Sequence, residues 1–276
     1  MQQVETVAAL RSALRDAPRP VGLVPTMGAL HDGHLALVRA AREECATVAA
    51  TIFVNPTQFG PNEDLDRYPR TLPGDLALLE QEGVDCVFTP SVEEMYPAGF
   101  VTTVHLDGPA LPLEGAARPG HFDGVATVVA KLLLQSLPDR AYLGRKDGQQ
   151  TAVVRRLVRD LDIPTEIVVV PTVREADGLA MSSRNAYLTS EQRAAAPVVF
   201  RALSAARDRF RAGQQEVAAL EEAARSMIEA SPLASVEYVA GVDPETMATW
   251  GGRGPCMLAA AVRIGSVRLI DNVILD

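Results

Sequence analysis

The chain has 276 residues, of which 47% are hydrophobic and 22% are charged, and its formal net charge is −9 at pH 7. A nucleic-acid-binding domain normally presents a basic field, so this balance argues against a nucleic-acid partner, although a local cluster of cations can still bind a small anion. The three cysteines form no C-x-x-C pair, no apolar run approaches the roughly 20 residues of a membrane span, and the N-terminus lacks a signal-peptide pattern, which together indicate a soluble, cytoplasmic protein.

The first 170 residues alternate between short apolar runs and helical patterns. Helices are predicted over 35–46 and over 125–137, the second with Asp123 as its N-cap. Strands are predicted over 21–24, 48–54, 84–89, 141–144 and 166–170. Because continuous apolar runs are typical of parallel strands buried on both faces, this alternation predicts an α/β fold with a Rossmann-like open parallel sheet.

The pattern changes after residue 172. Two helices, over 191–213 and 216–231, are followed by three strands, over 235–243, 256–265 and 267–275. Gly265 and Ser266 separate the last two strands as a hairpin turn would. We therefore expect a first domain over 1–172 and a second, smaller α+β domain over 173–276.

Polar, glycine- and proline-rich segments follow four of the predicted strands directly. They cover residues 25–34, 55–60, 145–150 and 171–185. In an open parallel sheet, ligands bind at the carboxyl ends of the strands. The four segments together predict a ligand site at that edge of the sheet.

The segment "PTMGALHDGHL" at residues 25–35 has the glycine spacing of a phosphate-binding P-loop, with His34 where the lysine belongs. A helix that begins near Gly33 would offer free N–H groups to an anion, and His31 and His34 could both donate hydrogen bonds to a phosphoryl oxygen. Two alternatives stay open. The histidines could be ordinary capping residues, or they could bind a metal ion together with His105 and His121.

The "HDGH" motif resembles the signature of the nucleotidyltransferase superfamily, which includes class I aminoacyl-tRNA synthetases, and "MSSRN" at 181–185 is similar in kind to the second loop of those enzymes. With "NPTQF", "RPGHFDGV" and "GRKDGQQ" in the same order and spacing, residues 20–190 resemble the pantoate–β-alanine ligase family. Arg145 and Gly148 depart from the pattern, since an acidic residue and an aromatic residue are more usual there.

The resemblance implies an ATP-dependent condensation of pantoate with β-alanine through an enzyme-bound pantoyl adenylate, which yields pantothenate, AMP and pyrophosphate. It also implies Mg²⁺ as a companion of ATP, a homodimer, and a second domain that closes over the ATP site. Two other functions stay open: another nucleotidyltransferase of the same motif that acts on a small anionic substrate, and a non-catalytic nucleotide sensor.

The resemblance also assigns roles to individual residues. The catalytic residues would be His34, His31, Lys146 and Arg184. The ATP-binding residues would be Pro25, Thr26, Met27, Gly28, His31, Gly33, His34, Gly144, Lys146, Asp147, Val173, Met181, Ser182, Ser183 and Arg184. The residues that bind pantoate or β-alanine would be Asn55, Gln58, Arg118 and Gln150.

Several of these residues have a plainer interpretation. Gln58 could close a turn, Lys146 could be a solvated surface residue, and Arg184 could cap a helix. Asp75 is a candidate Mg²⁺ ligand. The segment 113–124 is interpreted as a flap over the site or as a plain connecting loop, and the acidic residues Glu63, Asp64 and Asp66 are interpreted as a solvated loop.

Overall fold

The computed structural model describes residues 1–61 and 63–276. The chain divides into two compact units, the first comprising Met1–Gly144 and Val153–Val170, the second comprising Arg145–Ala152 and Pro171–Asp276. No helix in the described residues is long and apolar enough to cross a membrane.

The first unit contains the strands and helices that alternate in the sequence. Its strands are β1 (Gln2–Val4), β2 (Val21–Thr26), β3 (Thr47–Ile52), β4 (Cys86–Phe88), β5 (Arg140–Gly144) and β6 (Glu166–Val170). Its helices are α1 (Val7–Arg15), α2 (Asp32–Glu44), α3 (Leu72–Gln81), α4 (Val92–Met95), α5 (Glu114–Ala117), α6 (His121–Ser136) and the part of α7 (Gly148–Asp160) from residue 153 onward.

The six strands form one parallel sheet in the order β1-β4-β3-β2-β5-β6. The predicted Rossmann-like sheet is therefore confirmed. From β2 the chain moves outward through β3 and β4 on one side, and then returns to place β5 and β6 on the other. The winding direction reverses between β2 and β5, which makes their carboxyl ends the topological switch point where ligands of such sheets bind.

Both faces of this sheet are covered, which explains the continuous apolar runs. Along β2, Leu23 packs into a core on the side of α6, while the next residue, Val24, packs into a second core on the side of α2. Ala49 and Ala50 of β3 divide between the same two cores. Because successive side chains of a strand point to opposite faces, a strand covered on both sides needs apolar residues at every position.

The second unit contains α8 (Ser190–Ala195), α9 (Val198–Arg211) and α10 (Val217–Glu229), followed by β7 (Ala234–Val242), β8 (Cys256–Ile264) and β9 (Val267–Leu275). The three strands form an antiparallel sheet in chain order. Leu203 of α9 and Leu220 of α10 pack with Leu258 of β8 in one apolar core. The predicted smaller α+β part of the fold is confirmed.

Local predictions were wrong at three places. The helix predicted over 191–213 is divided at Pro197, because proline has no N–H group with which to continue a helical ladder. Helix α6 begins at His121 with Gly120 as its N-cap, and Asp123 instead contacts His105 Nδ1 at 3.0 Å. Strand β1 was missed, because three residues at a sheet edge carry no readable period.

Candidate active site

The loop that follows β2 has an unusual backbone, and a buried carboxylate holds it. Gly28 has a φ of 80° and Ala29 a φ of 50°, both in the left-handed region. Asp75 of α3, which is 2% exposed, accepts hydrogen bonds from the backbone N–H groups of Ala29 and Leu30, each at 2.9 Å. Its Oδ1 also accepts from the hydroxyl of Thr71 at 3.1 Å. Asp75 therefore shapes the loop that leads into the histidine motif.

His31 and His34 together cap the start of α2. His31 is the N-cap residue, and its Nδ1 accepts a hydrogen bond from the N–H of Gly33 at 3.1 Å. The Nδ1 of His34 accepts from the backbone N–H of His31 at 3.4 Å. In a neutral imidazole, the nitrogen that accepts carries no proton, so the proton of each ring lies on Nε2. The capping alternative is therefore correct as a description of Nδ1.

The segment after β3 is a short 3₁₀ turn, Pro56–Gln58, organised by Asn55. Asn55 is 1% exposed; its Oδ1 accepts from the hydroxyl of Tyr96 at 2.7 Å, and its Nδ2 donates to Gln58 Oε1 at 3.1 Å. Asn55, rather than Gln58, closes the turn. The amide of Gln58 lies 3.0 Å from Met27 Sδ, so the segments after β2 and β3 meet, as predicted from the strand ends.

Arg118 makes an ion pair with Glu63 that the sequence interpretation did not include. Its Nε and Nη2 each donate to one carboxylate oxygen of Glu63 at 2.6 Å, and only 18% and 25% of the two side chains are exposed. Burial pushes the pKa of the Glu63 carboxyl upward, but the hydrogen bonds and charge of Arg118 outweigh burial and hold that pKa below its usual value. The prediction that Glu63 belongs to a solvated loop was wrong.

His121, the first residue of α6, lies between Gln58 and Arg118. Its Nδ1 contacts the carbonyl oxygen of Gln58 at 2.8 Å, and its Nε2 lies 3.0 Å from Arg118 Nη1. Burial and the neighbouring guanidinium lower the pKa of His121 to about 4. The ring is neutral at pH 7, donates from Nδ1 and accepts at Nε2. The segment 113–124 is thus made of α5 and the start of α6, and Arg118 and His121 attach it to the Gln58 turn.

The described residues contain no ligand set for the histidine metal site that the sequence left open. Within them, no group of three or more His, Cys, Asp or Glu side chains could hold a metal ion. His105 contacts the carboxylates of Asp123 and Asp107, and His121 contacts a backbone carbonyl.

In the second unit, Lys146 and Asp147 lie in a 3₁₀ turn, Arg145–Asp147, with Lys146 Nζ 3.4 Å from Asp147 Oδ1. The side-chain amide of Asn272, in β9, donates to the carbonyl of Arg145 at 2.9 Å and to that of Lys146 at 3.0 Å. Lys146 is 21% exposed, so the interpretation as a freely solvated surface lysine does not fit its surroundings.

The absence of a side chain at Gly148 is explained by its neighbours. A Cβ at this position would lie 2.6 Å from Met257 Sδ and 3.2 Å from Asn272 Nδ2. Met257 occupies the space that a side chain at position 148 would need. Gln150, a predicted pantoate contact, lies two residues further along α7 and is partly buried.

The remaining predicted ATP-binding residues lie in one loop of the second unit. The N–H of Met181 donates to the carbonyl of Val173 at 3.1 Å, which closes the loop on itself. Ser182 is the N-cap of the 3₁₀ turn Ser183–Tyr187, and its hydroxyl accepts from the N–H of Arg184 at 3.3 Å. Ser182, and not Arg184, is the capping residue here.

The predicted site residues therefore fall into two sets. Those of the first unit are Pro25, Thr26, Met27, Gly28, His31, Gly33, His34, Asn55, Gln58, Arg118 and Gly144; those of the second are Lys146, Asp147, Gln150, Val173, Met181, Ser182, Ser183 and Arg184. Their individual roles stay predictions. Sequence reasoning considered His121 only as a metal ligand, and it missed Tyr96, Arg174, Asp271 and Asn272. A signal existed for the last two, because Asp271 and Asn272 interrupt the apolar run of Leu269–Ile270 and Val273–Leu275.

An open parallel sheet in which two histidines cap helix α2 at the switch point defines a nucleotide-binding α/β protein. The family model for pantoate-beta-alanine ligase matches residues 1–274. This chain belongs to the pantoate–β-alanine ligase family.

Individual relatives match along the whole chain. The chain is 58% identical over 277 residues to the pantothenate synthetase of Chloroflexus aggregans, with 100% of both sequences covered. A crystal structure of pantothenate synthetase from Thermus thermophilus is 53% identical, with a TM-score of 0.95 and 99% of each chain covered. A ligase from Francisella tularensis, crystallised with β,γ-ATP and β-alanine, is 36% identical, with a TM-score of 0.82, 100% of this chain and 98% of that chain covered.

Proposed function

We propose that this protein condenses pantoate with β-alanine at the expense of ATP and releases pantothenate, AMP and pyrophosphate. The observation that carries the proposal is the pair of capping histidines at the switch point. The Nδ1 atom of each ring accepts a backbone hydrogen bond at the start of a 13-residue helix, where the backbone itself favours an anion.

The first step of the proposed reaction forms a pantoyl adenylate. A carboxylate oxygen of pantoate attacks the α-phosphorus of ATP, the bond from that phosphorus to the bridging oxygen breaks, and pyrophosphate leaves. Because two anions must meet, the barrier is mainly electrostatic. His34 and His31 would donate from Nε2 to phosphoryl oxygens as negative charge increases there. A histidine pair at the α-phosphate suits cleavage at that phosphorus, whereas a P-loop lysine serves transfer of the terminal phosphoryl group.

The second step transfers the pantoyl group. The amine of β-alanine attacks the acyl carbon, the bond from that carbon to the phosphate oxygen breaks, and AMP leaves with its electron pair. The amide of Gln58, oriented by Asn55, would hold pantoate, and Gln150 would hold it as a second amide. Two amides suit a ligand with one carboxylate and two hydroxyl groups, because an amide both donates and accepts.

Lys146 and the segment Ser182–Arg184 would bind phosphate oxygens of ATP, with Asp147 and Gly144 at the ribose and Val173 at the adenine. Mg²⁺ would add positive charge on the phosphates and favour departure of pyrophosphate. Since Asp75 already accepts three hydrogen bonds from its own loop, we infer that the phosphate oxygens themselves supply most ligands of the ion.

We also infer a homodimer in the cytoplasm. The apolar side chain of Val101 is 91% exposed, and a second copy of the chain could cover it. Cys45, Cys86 and Cys256 are buried and unpaired, as is usual in a reducing compartment. Light scattering in solution measures the assembly directly.

A product assay tests the function. Incubation with ATP, Mg²⁺, pantoate and β-alanine should give pantothenate, AMP and pyrophosphate in equal amounts, and omission of β-alanine should stop pantothenate formation. ADP as the nucleotide product, or turnover that ignores pantoate, would contradict the proposal; the second result would favour a different nucleotidyltransferase.

A further inference from the structure

Strand β9 carries two adjacent buried polar residues that the proposed reaction does not use. Asp271 and Asn272 are each 5% exposed, and they follow four residues of which three are apolar. Burial of a charge and an amide in a strand costs free energy unless both are hydrogen-bonded. Each side chain contacts a different segment of the second unit, and each segment contains predicted ATP-binding residues.

Asp271 holds the loop that contains Val173 and Met181. Arg174 donates from Nη1 and Nη2 to the two carboxylate oxygens of Asp271, at 2.6 and 2.9 Å. The same guanidinium donates to the carbonyl of Gly178 at 3.1 Å and stacks on the ring of Phe200 with its carbon 3.7 Å from the centroid. The guanidinium of Arg174 therefore links the two ends of the turn, Arg174 and Gly178, to β9 through its two hydrogen bonds to Asp271.

Asn272 holds the turn that contains Lys146. Its Nδ2 donates two hydrogen bonds, one to the carbonyl of Arg145 and one to the carbonyl of Lys146. Its Oδ1 has no hydrogen-bond partner among the described residues, although the atom is buried. A buried amide oxygen without a hydrogen-bond partner is destabilising. We therefore infer that the favourable contribution of Asn272 comes from the two hydrogen bonds that its Nδ2 donates. A Cβ at Gly148 would lie only 3.2 Å from this Nδ2, so the side chain of Asn272 packs closely against the start of α7.

We propose that the Asp271–Asn272 pair is the positioning element of the ATP site in the second unit. Asn272 acts through the backbone of Lys146, and Asp271 acts through Arg174 on the loop that would receive adenine. The inference rests on the proposed function for the identity of the nucleotide. In this proposal, β9 holds the turn that contains Lys146 and the loop that contains Val173 and Met181 in fixed positions relative to each other, although the two come from distant parts of the sequence.

The test compares Asn272→Asp with a control variant that lowers stability elsewhere in the same unit. Asn272→Asp keeps the size of the side chain but sets a carboxylate oxygen against two carbonyls. Val262→Ala, in the apolar core of the same unit, destabilises without touching either loop. Two quantities are measured well below the unfolding temperature: the Kd of a non-hydrolysable ATP analogue, and the rate of pantoate-dependent ATP–pyrophosphate exchange. Both are repeated for Asn272→Asp in a Lys146→Ala background.

We expect Asn272→Asp to lower the exchange rate by about tenfold or more, as misplaced catalytic groups do. The exchange rate of Val262→Ala should stay within about twofold of wild type. Asn272→Asp should lower the rate by less than about a further twofold when Lys146 is already alanine, since residues that act as a unit are non-additive. Equal losses in Asn272→Asp and Val262→Ala, or independent multiplication of the Asn272 and Lys146 effects, would overturn the proposal.

A second variant keeps the test decisive if Asn272→Asp does not fold. Arg174→Lys retains the charge beside Asp271 but loses the two-bond contact, and should raise the Kd of the analogue with little change in exchange rate at saturating ATP. An unchanged Kd contradicts the role of Asp271. If the wild type binds the analogue but shows no exchange, the proposed function fails while the Kd values still test the positioning role; a wild type that binds no nucleotide overturns both.

Discussion

The imidazole rings of His31 and His34 lie side by side, with centroids 4.1 Å apart and ring planes tilted by 37°, and each ring accepts a backbone hydrogen bond of the same helical turn through Nδ1. One arrangement thus caps α2 and fixes which nitrogen of each ring carries the proton. The choice between capping residue and phosphate donor, which the sequence left open, is not a choice between exclusive roles.

The two roles of His31 can be separated by substitution. His31→Asn keeps an acceptor for the N–H of Gly33 but removes the Nε2 donor, whereas His31→Ala removes both. We expect both variants to lower kcat by about 10²-fold or more, the scale of a lost donor to a developing anion. Only His31→Ala should also lower the free energy of unfolding, by about 1 kcal/mol, the value of an N-cap. Urea titration and steady-state kinetics on the pair measure the two effects. Full activity in His31→Asn would confine this residue to capping.

The buried His121 should make stability depend on pH. In the folded protein its pKa is about 4, against 6.5 for a free histidine. Between those values the unfolded chain binds a proton that the folded chain does not, so the free energy of unfolding falls as pH decreases through this window and levels off below it. The contribution is at most about 3 kcal/mol.

Denaturant titrations of wild type and His121→Asn from pH 7.5 to pH 4 isolate this contribution, because asparagine can still donate to the carbonyl of Gln58 but does not titrate. His105→Asn is the control. Asp123 raises the pKa of His105, so His105 stabilises at low pH and loses that effect as pH rises, which is the opposite sign. A difference curve for His121 that is flat over the window would contradict the assignment.

Gly124 should be intolerant of a side chain. A Cβ there would lie 2.3 Å from the carbonyl oxygen of Thr57 and 2.7 Å from the N–H nitrogen of Gln58, both backbone atoms. Gly124→Ala must displace the turn that orients Gln58, and we expect it to lower stability by roughly 2 kcal/mol and to raise the KM for pantoate. Gly74→Ala is the matched control, since a Cβ in that part of α3 meets nothing within 4 Å. An unchanged KM in Gly124→Ala would separate the turn from pantoate binding.

Asp75 offers a test of loop shaping against metal binding. Asp75→Asn sets an N–H₂ group against one of two buried N–H donors, and we expect a loss of about 2 kcal/mol in the free energy of unfolding. If Asp75 acts on the loop, the Mg²⁺ concentration that gives half-maximal rate should not change. A strongly increased Mg²⁺ requirement with unchanged stability would instead identify Asp75 as a ligand of the ion.

The sheet could be predicted because its strands are buried on both faces, which leaves an apolar run at each of β2, β3 and β5. Contacts between residues that are far apart in the sequence could not be predicted in this way. Glu63 and Arg118 are 55 residues apart, and the amide of Asn272 lies 126 residues beyond the carbonyl of Lys146 that it contacts. The spacing of His31 and His34 was visible in the sequence, but their proton positions follow only from the hydrogen bonds that α2 makes. Asp123 has the residue type of an N-cap, yet Gly120 fills that place because its left-handed backbone begins the helix earlier.

The central claim, that the histidine pair acts at the α-phosphate, is tested most directly by ATP–pyrophosphate exchange without β-alanine. The wild type should exchange only when pantoate is present, and His34→Ala should lose at least about 10²-fold of that rate while its Kd for an ATP analogue changes little. Exchange that does not need pantoate, or that survives in His34→Ala at the wild-type rate, would contradict the account.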